Sequence, residues 1–403
     1  MTGVPGSATA PAALELRRAA LGTAAVFALN GFLMAAWISR LPATRDRLHA
    51  DPASLGLALL MTGVGSLLAM PTTGRLCARY GSRRVVAATL VPSCVALVAL
   101  AFLPTVWAMA AGLFVLGAGY GSWDVAMNVQ ASQVDRHAGR DLMPRYHGCW
   151  SVGAFVGAAL GTLAAAAGVP LAVHFTTDAV VVAVGVTVAL RWFLADPPPE
   201  RASADARRAG RPHAFITRTL VLIGVVTLCA TCIEGAAADW FALYLHDGRG
   251  TDAGLAAAGY AVFAVAMAAS RFSGTTVIDR IGRVAAVRWG GALAGFGVLA
   301  AVLAPGVPGA MVGALLWGFG VAVIFPAAMS AGGEVPGHAA QGIATVATIG
   351  YGGFLLGPPL IGLLAQHLGL GSALLVLPVL AVGIVVLAPA VRAPHPPALT
   401  SPR

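Results

Sequence analysis

Gly74-Arg75-Leu76-Cys77-Ala78-Arg79-Tyr80-Gly81-Ser82-Arg83-Arg84 puts four arginines into eleven residues, with a long apolar run on either side. Asp279-Arg280-Ile281-Gly282-Arg283 repeats the Arg-x-Gly core between two later apolar runs. A shift of 201 residues carries Arg79 onto Arg280 and Gly81 onto Gly282, and the same shift carries Gly161 onto Gly362 and Gly168 onto Gly369. One register that serves four landmarks argues for a duplicated unit. Two parallel copies of a helical unit, with a site near the midplane between them, is a carrier architecture.

Outward from these loops, apolar runs recur at 19–41, 55–77, 85–103, 105–131, 146–168, 170–194, 218–245, 252–277, 284–304, 307–331, 341–366 and 370–391. At 1.5 Å per residue each is long enough to cross ~30 Å of hydrocarbon. The first run follows Arg17 and Arg18 and exceeds a signal-peptide core, so it reads as a retained span. Connections are short except 195–217, which is Pro-rich and charged. The expected layout is therefore a six-helix bundle at 1–194, a linker at 195–217 and a second six-helix bundle at 218–403. Composition agrees. Charged residues make up 10%, hydrophobic residues 58%, and the mean hydropathy is +0.82, against about 25% charged in a soluble domain. Lipid must be the solvent for most of this chain, an all-α polytopic membrane protein of twelve spans.

All 25 basic residues are arginines. Without lysine the chain has neither the P-loop lysine that grips nucleotide phosphates nor the amine of a Schiff base; no cofactor is expected. A net charge of +9 would suggest nucleic acid in a soluble protein, but its distribution gives another reading. With the N-terminus inside, Arg17, Arg18, Arg75, Arg79, Arg83, Arg84, Arg136, Arg140, Arg145, Arg280, Arg283, Arg288 and Arg392 all fall on inner segments. Only Arg40, Arg45, Arg47 and Arg249 fall outside. This is the positive-inside bias, so both termini are expected in the cytoplasm and no nucleic-acid partner is expected. Lysine-free, Ala- and Arg-rich composition fits a GC-rich bacterial genome, hence a bacterial inner membrane. Cys229-x-x-Cys232 sits inside an apolar run and reads as packing, as do the other three cysteines. Neither H-E-x-x-H nor G-x-S-x-G occurs, which argues against an enzyme.

The two Arg-x-Gly loops resemble the G-x-x-x-D-R-x-G-R-R loop of the major facilitator superfamily, at the places that family uses between helices 2–3 and 8–9. The first copy departs from the pattern, with Ala78 where Asp is usual and Ser82 where Arg is usual. The resemblance implies two pseudo-symmetric six-helix bundles and transport of a small molecule by alternating access. It also implies a cytoplasmic gate in which Arg79, Arg83, Arg280 and Arg283, with Asp279, pair with acids at neighbouring helix ends. Asp135 and Glu334 are the candidate partners. Gly121-Ser122-Trp123-Asp124-Val125-Ala126-Met127-Asn128-Val129-Gln130 and Glu234-Gly235-Ala236-Ala237-Ala238-Asp239-Trp240 are similar to a bacterial branch related to fucose:proton symporters.

Ionisable groups inside spans are costly and mark function. Asp124 on the fourth span and Glu234 and Asp239 on the seventh are expected to carry protons. On an α-helix Glu234 and Asp239 would lie about 7.5 Å and 140° apart, so they would not share one proton. Asp178 follows His174 by four residues and reads as a structural pair, and Arg271 is expected near the inner end of the eighth span. Trp123 and Trp317, with Asn30, Asn128 and Gln130, are expected to contact substrate. A monomer moving a polar, sugar-like solute with protons is the leading reading. Efflux by proton antiport is weaker, because the fourth span has no arginine and the fifth no Gly-Pro; a non-transporting sensor is the third.

Overall fold

The computed structural model describes residues 13–50, 52–196, 216–251, 253–336 and 338–392. Twelve helices are long and apolar enough to span a membrane: α1 Ala13–Ser39, α2 Leu57–Tyr80, α3 Ser82–Leu100, α4 Val106–Ala138, α5 Met143–Ala166, α6 Leu171–Trp192, α7 Arg218–Phe241, α8 Ala258–Ile281, α9 Arg283–Leu303, α10 Gly306–Gly332, α11 Ala339–Leu368 and α12 Leu370–Val391. No strand occurs among the described residues. Most of the expected linker falls on 197–215, outside the described residues, as does the N-terminal stretch before residue 13.

The two arginine loops take the same shape. Gly81 (φ 86°, ψ 153°) and Gly282 (φ 80°, ψ 156°) are the N-caps of α3 and α9. A side chain there would be strained, because φ lies in the glycine region. The 201-residue register thus rests on two backbone turns that need glycine. Helix boundaries fall close to the apolar runs, except that α4 continues to Ala138, well past the end of its run.

Helix packing repeats across the duplication. In the first half α1 packs on α5 and α2 on α4; in the second α7 packs on α11 and α8 on α10. The halves meet where α2 crosses α11 and α5 crosses α8. Small residues permit the close crossings. A Cβ on Gly153 would strike the carbonyl of Ala28, and one on Gly157 would come within 2.7 Å of the Phe32 carbonyl. On the other side Gly350 and Gly353 face Thr227 and Thr231 of α7. We expect Gly153→Val to destabilise the first half by about 3 kcal/mol, seen as lower folded yield and an earlier thermal transition. A wild-type transition would show that α1 and α5 are less tightly crossed than described.

Four spans depart from plain α-helix: α6 and α12 close in 3-10 turns at Leu190–Trp192 and Ala388–Val391, α12 is also interrupted at Leu375, and α7 and α10 change within the span. The α7 chain runs on past Ala236 as π-helical turns over Ala237–Phe241 and Tyr244–Gly248. The middle of α10 is interrupted at Ala322–Val323, between Gly306–Val321 and Ile324–Gly332. α11 remains helical through Pro358 and Pro359.

Candidate functional site

A cavity of about 70 Å³ lies at mid-depth between the halves, lined by Tyr120 and Asp124 of α4, His147 and Trp150 of α5, Glu234 of α7, Arg271 of α8, Phe325 of α10, and Tyr351 and Phe354 of α11. The spacings Tyr120/Asp124, His147/Trp150 and Tyr351/Phe354 are three or four residues, which puts each pair on one helix face. Five aromatic rings and an imidazole therefore surround two acids and one guanidinium.

The two acids sit in different surroundings. Glu234 Oε1 accepts from Arg271 Nη2 at 3.0 Å, and Arg271 Nη1 donates to Ser151 Oγ of α5 at 2.7 Å. Arg271 thereby ties the second half to the first. Asp124 is 4% exposed and has no cationic partner; its Oδ1 is 3.4 Å from Asn128 Nδ2, its Oδ2 is buried, and the Tyr351 hydroxyl of the second half neighbours the carboxyl. Asn128 Nδ2 also donates to the Asp124 carbonyl at 2.9 Å, and Asn128 Oδ1 lies 3.2 Å from His147 Nε2, which places the ring proton on Nε2. His147 is wedged edge-on between Phe27 and Phe325. A buried carboxyl that lacks a counter-ion is the costly member of this set, and functional groups are retained at such cost.

Several expected contacts fall elsewhere. Trp317 is fully buried, with its ring between Phe241 and Phe263 and its Nε1 donating to the Ile233 carbonyl at 3.1 Å, so it packs α10 on α7. Trp123 is also fully buried and does not line the cavity, because it sits one residue, ~100° of helix, away from Asp124. Asn30 stands behind the wall, accepting from Trp150 Nε1 at 3.0 Å. Gln130 lies at the arginine-bearing end, accepting from Ser82 Oγ at 3.0 Å. Asp239 is exposed on the π-helical stretch, where the α-helical rotation from Glu234 no longer applies. Arg271 is central, not near the helix end. His174 Nε2 is 2.9 Å from Asp178 Oδ2, the expected pair.

A second cavity, about 250 Å³, lies between the halves at the arginine-bearing end, lined by Ser132, Asp135, Arg136, Gly139, Arg140, Asp141, Arg283, Ser330 and Glu334. Arg283 grips Glu334 with both nitrogens (2.8 and 2.6 Å) and reaches Asp141 of the first half at 3.3 Å. Ser330 Oγ donates to the other oxygen of Asp141 at 2.8 Å. Burial pushes the Asp141 carboxyl above the usual range, against the pull of Arg283. Arg140 meets Asp279 at 2.7 Å, a second bridge between halves. Asp135 takes no arginine; its Oδ1 accepts from the Leu142 amide at 3.1 Å, at the start of α5. Arg79 lies over the Tyr80 ring, and among the described residues Arg79, Arg83 and Arg280 form no ion pair.

The departure at Ser82 has a structural counterpart. In the 201-residue register Arg283 and Glu334 correspond to Ser82 and Gln133. There the acid comes from past α6: Asp196 Oδ1 accepts from the Ser82 amide at 2.8 Å and from Gln133 Nε2 at 3.1 Å. The ionic closure is therefore one-sided. We expect Arg140→Ala to matter little, since Arg140 and its partner Asp279 are half and one-third exposed and such pairs contribute about 0.2–1 kcal/mol. Asp141→Asn removes a buried charge from Arg283 and should open this end more. Spin labels at the exposed positions Arg79→Cys and Arg280→Cys would report the change; identical distances in Asp141→Asn and wild type would refute it.

Polar contacts join the halves at this arginine-bearing end, through Arg136–Gly333, Arg140–Asp279, Arg283–Asp141 and Ser330–Asp141, and at the central cavity, through Arg271–Ser151. The Major Facilitator Superfamily model matches residues 19–353, which is most of the chain. The chain belongs to the Major Facilitator Superfamily. A relative in Sinorhizobium fredii, described as the uncharacterized transporter y4wD, is 37% identical over 375 residues, covering 92% of this chain and 97% of its own. Among solved structures, FucP in an outward conformation superposes with a TM-score of 0.77 at 16% identity, covering 93% of this chain and 98% of its own. The human organic anion transporter MFSD10 gives 0.78 at 17%, covering 93% and 99%. The protein is thus a multi-pass membrane transporter of the superfamily, not an enzyme.

Proposed function

We propose that this transporter carries a polar, sugar-like organic solute across the bacterial cytoplasmic membrane together with protons, with the arginine-bearing end and both termini in the cytoplasm. The observation that carries this reading is the central cavity, where an unpaired Asp124 and a paired Glu234–Arg271 face each other across the interface of the halves. A proton is the partner that neutralises Asp124, and the ion pair is a fixed polar clamp for hydroxyl groups. Trp150, Tyr120, Tyr351 and Phe354 supply flat faces on which a sugar ring can lie. At about 70 Å³ the cavity is well below the roughly 300–1,000 Å³ usual for small-molecule sites, so solute entry requires the rings or the halves to part. A structure of the E. coli fucose:proton symporter FucP shares the fold, with a TM-score of 0.75, and supports the sugar-like class by analogy only.

Purified protein in proteoliposomes with an imposed pH gradient tests this, using labelled L-fucose and D-xylose first and other polar solutes next. Accumulation above equilibrium that collapses with an uncoupler is expected. Facilitated movement that never exceeds equilibrium would remove proton coupling, and accumulation confined to non-sugar solutes would remove the sugar-like class.

A further inference from the structure

The polar groups of α4 do not stop at the central cavity. Asp124, Asn128, Ser132 and Asp135 follow at intervals of four, four and three residues. At 100° per residue they fall within an arc of about 80°, one stripe down the helix. The stripe begins in the central cavity with Asp124 and ends in the arginine-end cavity, which Ser132 and Asp135 line. On α5, His147 lies against the stripe through Asn128 Oδ1 at 3.2 Å. Its chain neighbour Tyr146 is 3% exposed, and its hydroxyl has no hydrogen-bond partner yet lies within electrostatic reach of Asp135. Asp135 Oδ2 is likewise buried and unpartnered.

We propose that a proton taken up at Asp124 leaves toward the arginine-bearing end along this face of α4, with Asp135 as its release station. This rests on the proton-coupled reading above. The Asp124 carboxyl gives up its proton and is left as carboxylate; Asp135 carboxylate accepts one, and releases it to water in the cavity of about 250 Å³. Eleven residues separate the two acids, about 16 Å of helix, too far for one transfer. His147, the Tyr146 hydroxyl and water entering the cavities span the interval. The groups facing Asp135 set its proton affinity from each side: Asp141 from the loop before α5, Arg136 from the last turn of its own helix and Arg140 from just past it, and Arg283 and Glu334 from the second half. Opening this end withdraws Arg283 and Glu334, so release and gating are linked by charge.

Asp135 also caps α5 through the Leu142 amide. Asp135→Asn keeps an acceptor for that amide and loses the proton site, which separates the two roles. The experiment is infrared difference spectroscopy of the full chain in lipid membranes, titrated across the physiological pH range and read at the carboxylic-acid C=O stretch. Asp124→Asn is expected to remove one component and Asp135→Asn a second, with unchanged thermal stability. Asp135→Glu should restore a component, and Tyr146→Phe should shift the Asp135 component in frequency. If Asp135→Asn gives the wild-type spectrum while Asp124→Asn loses its component, the release station is wrong and proton coupling at Asp124 stands. If Asp124→Asn gives the wild-type spectrum, the coupling reading itself falls.

Discussion

Asp124→Asn is expected to abolish concentrative transport while leaving solute exchange between the two faces intact. The asparagine keeps the shape of the side chain and its contact with Asn128 but cannot bind and release a proton. One charge crossing 100 mV supplies about 2.3 kcal/mol, a roughly fifty-fold solute gradient, and that whole factor should vanish. Counterflow in proteoliposomes without a pH gradient reads the exchange, and gradient-driven uptake reads the coupling. The reason to place coupling on Asp124, and not on Glu234, is the counter-ion: Glu234 already has Arg271 at 3.0 Å, whereas Asp124 has none. A variant that concentrates solute as wild type does would contradict this assignment.

The second large effect concerns that pair. Arg271→Ala strips Glu234 of its only cation among the described residues and unties α8 from Ser151 of α5. Breaking a buried pair by removing one partner costs about 3–5 kcal/mol, because the remaining charge stays buried. Adding Glu234→Gln should return much of the lost thermal stability without returning transport, since the double variant has no stranded charge and no clamp. A double variant no more stable than Arg271→Ala alone would mean that the arginine acts through packing or through Ser151 and not through the carboxylate.

The parts of this molecule that are legible from its residues are those where a strong local rule operates. Gly81 and Gly282 announce their turns because the backbone there requires positive φ, and Asp124 and Glu234 stand out because a charge inside an apolar run has to be justified. The rings that complete the cavity give no such signal. His147, Trp150, Tyr351 and Phe354 are ordinary members of apolar stretches, and only the crossing of α5 and α11 with α4, α7 and α8 turns them toward one point. Asp141 and Asp196 escape notice for the opposite reason: acids in connecting segments cost nothing in sequence, and their partners Arg283, Ser82 and Gln133 are distant along the chain. Trp317 has the residue type of a substrate platform, yet its indole nitrogen already has the Ile233 carbonyl. The α-helical angle used for Asp239 does not carry over to its stretch, which is π-helical.

The most direct test of joint movement is proton flux itself, followed with a pH dye sealed inside proteoliposomes while a solute gradient alone is imposed. Proton-coupled carriage through Asp124 predicts that inward solute flow acidifies the interior of wild-type vesicles and that Asp124→Asn carries solute with no acidification. Solute flow through wild-type protein with a flat dye signal would contradict it.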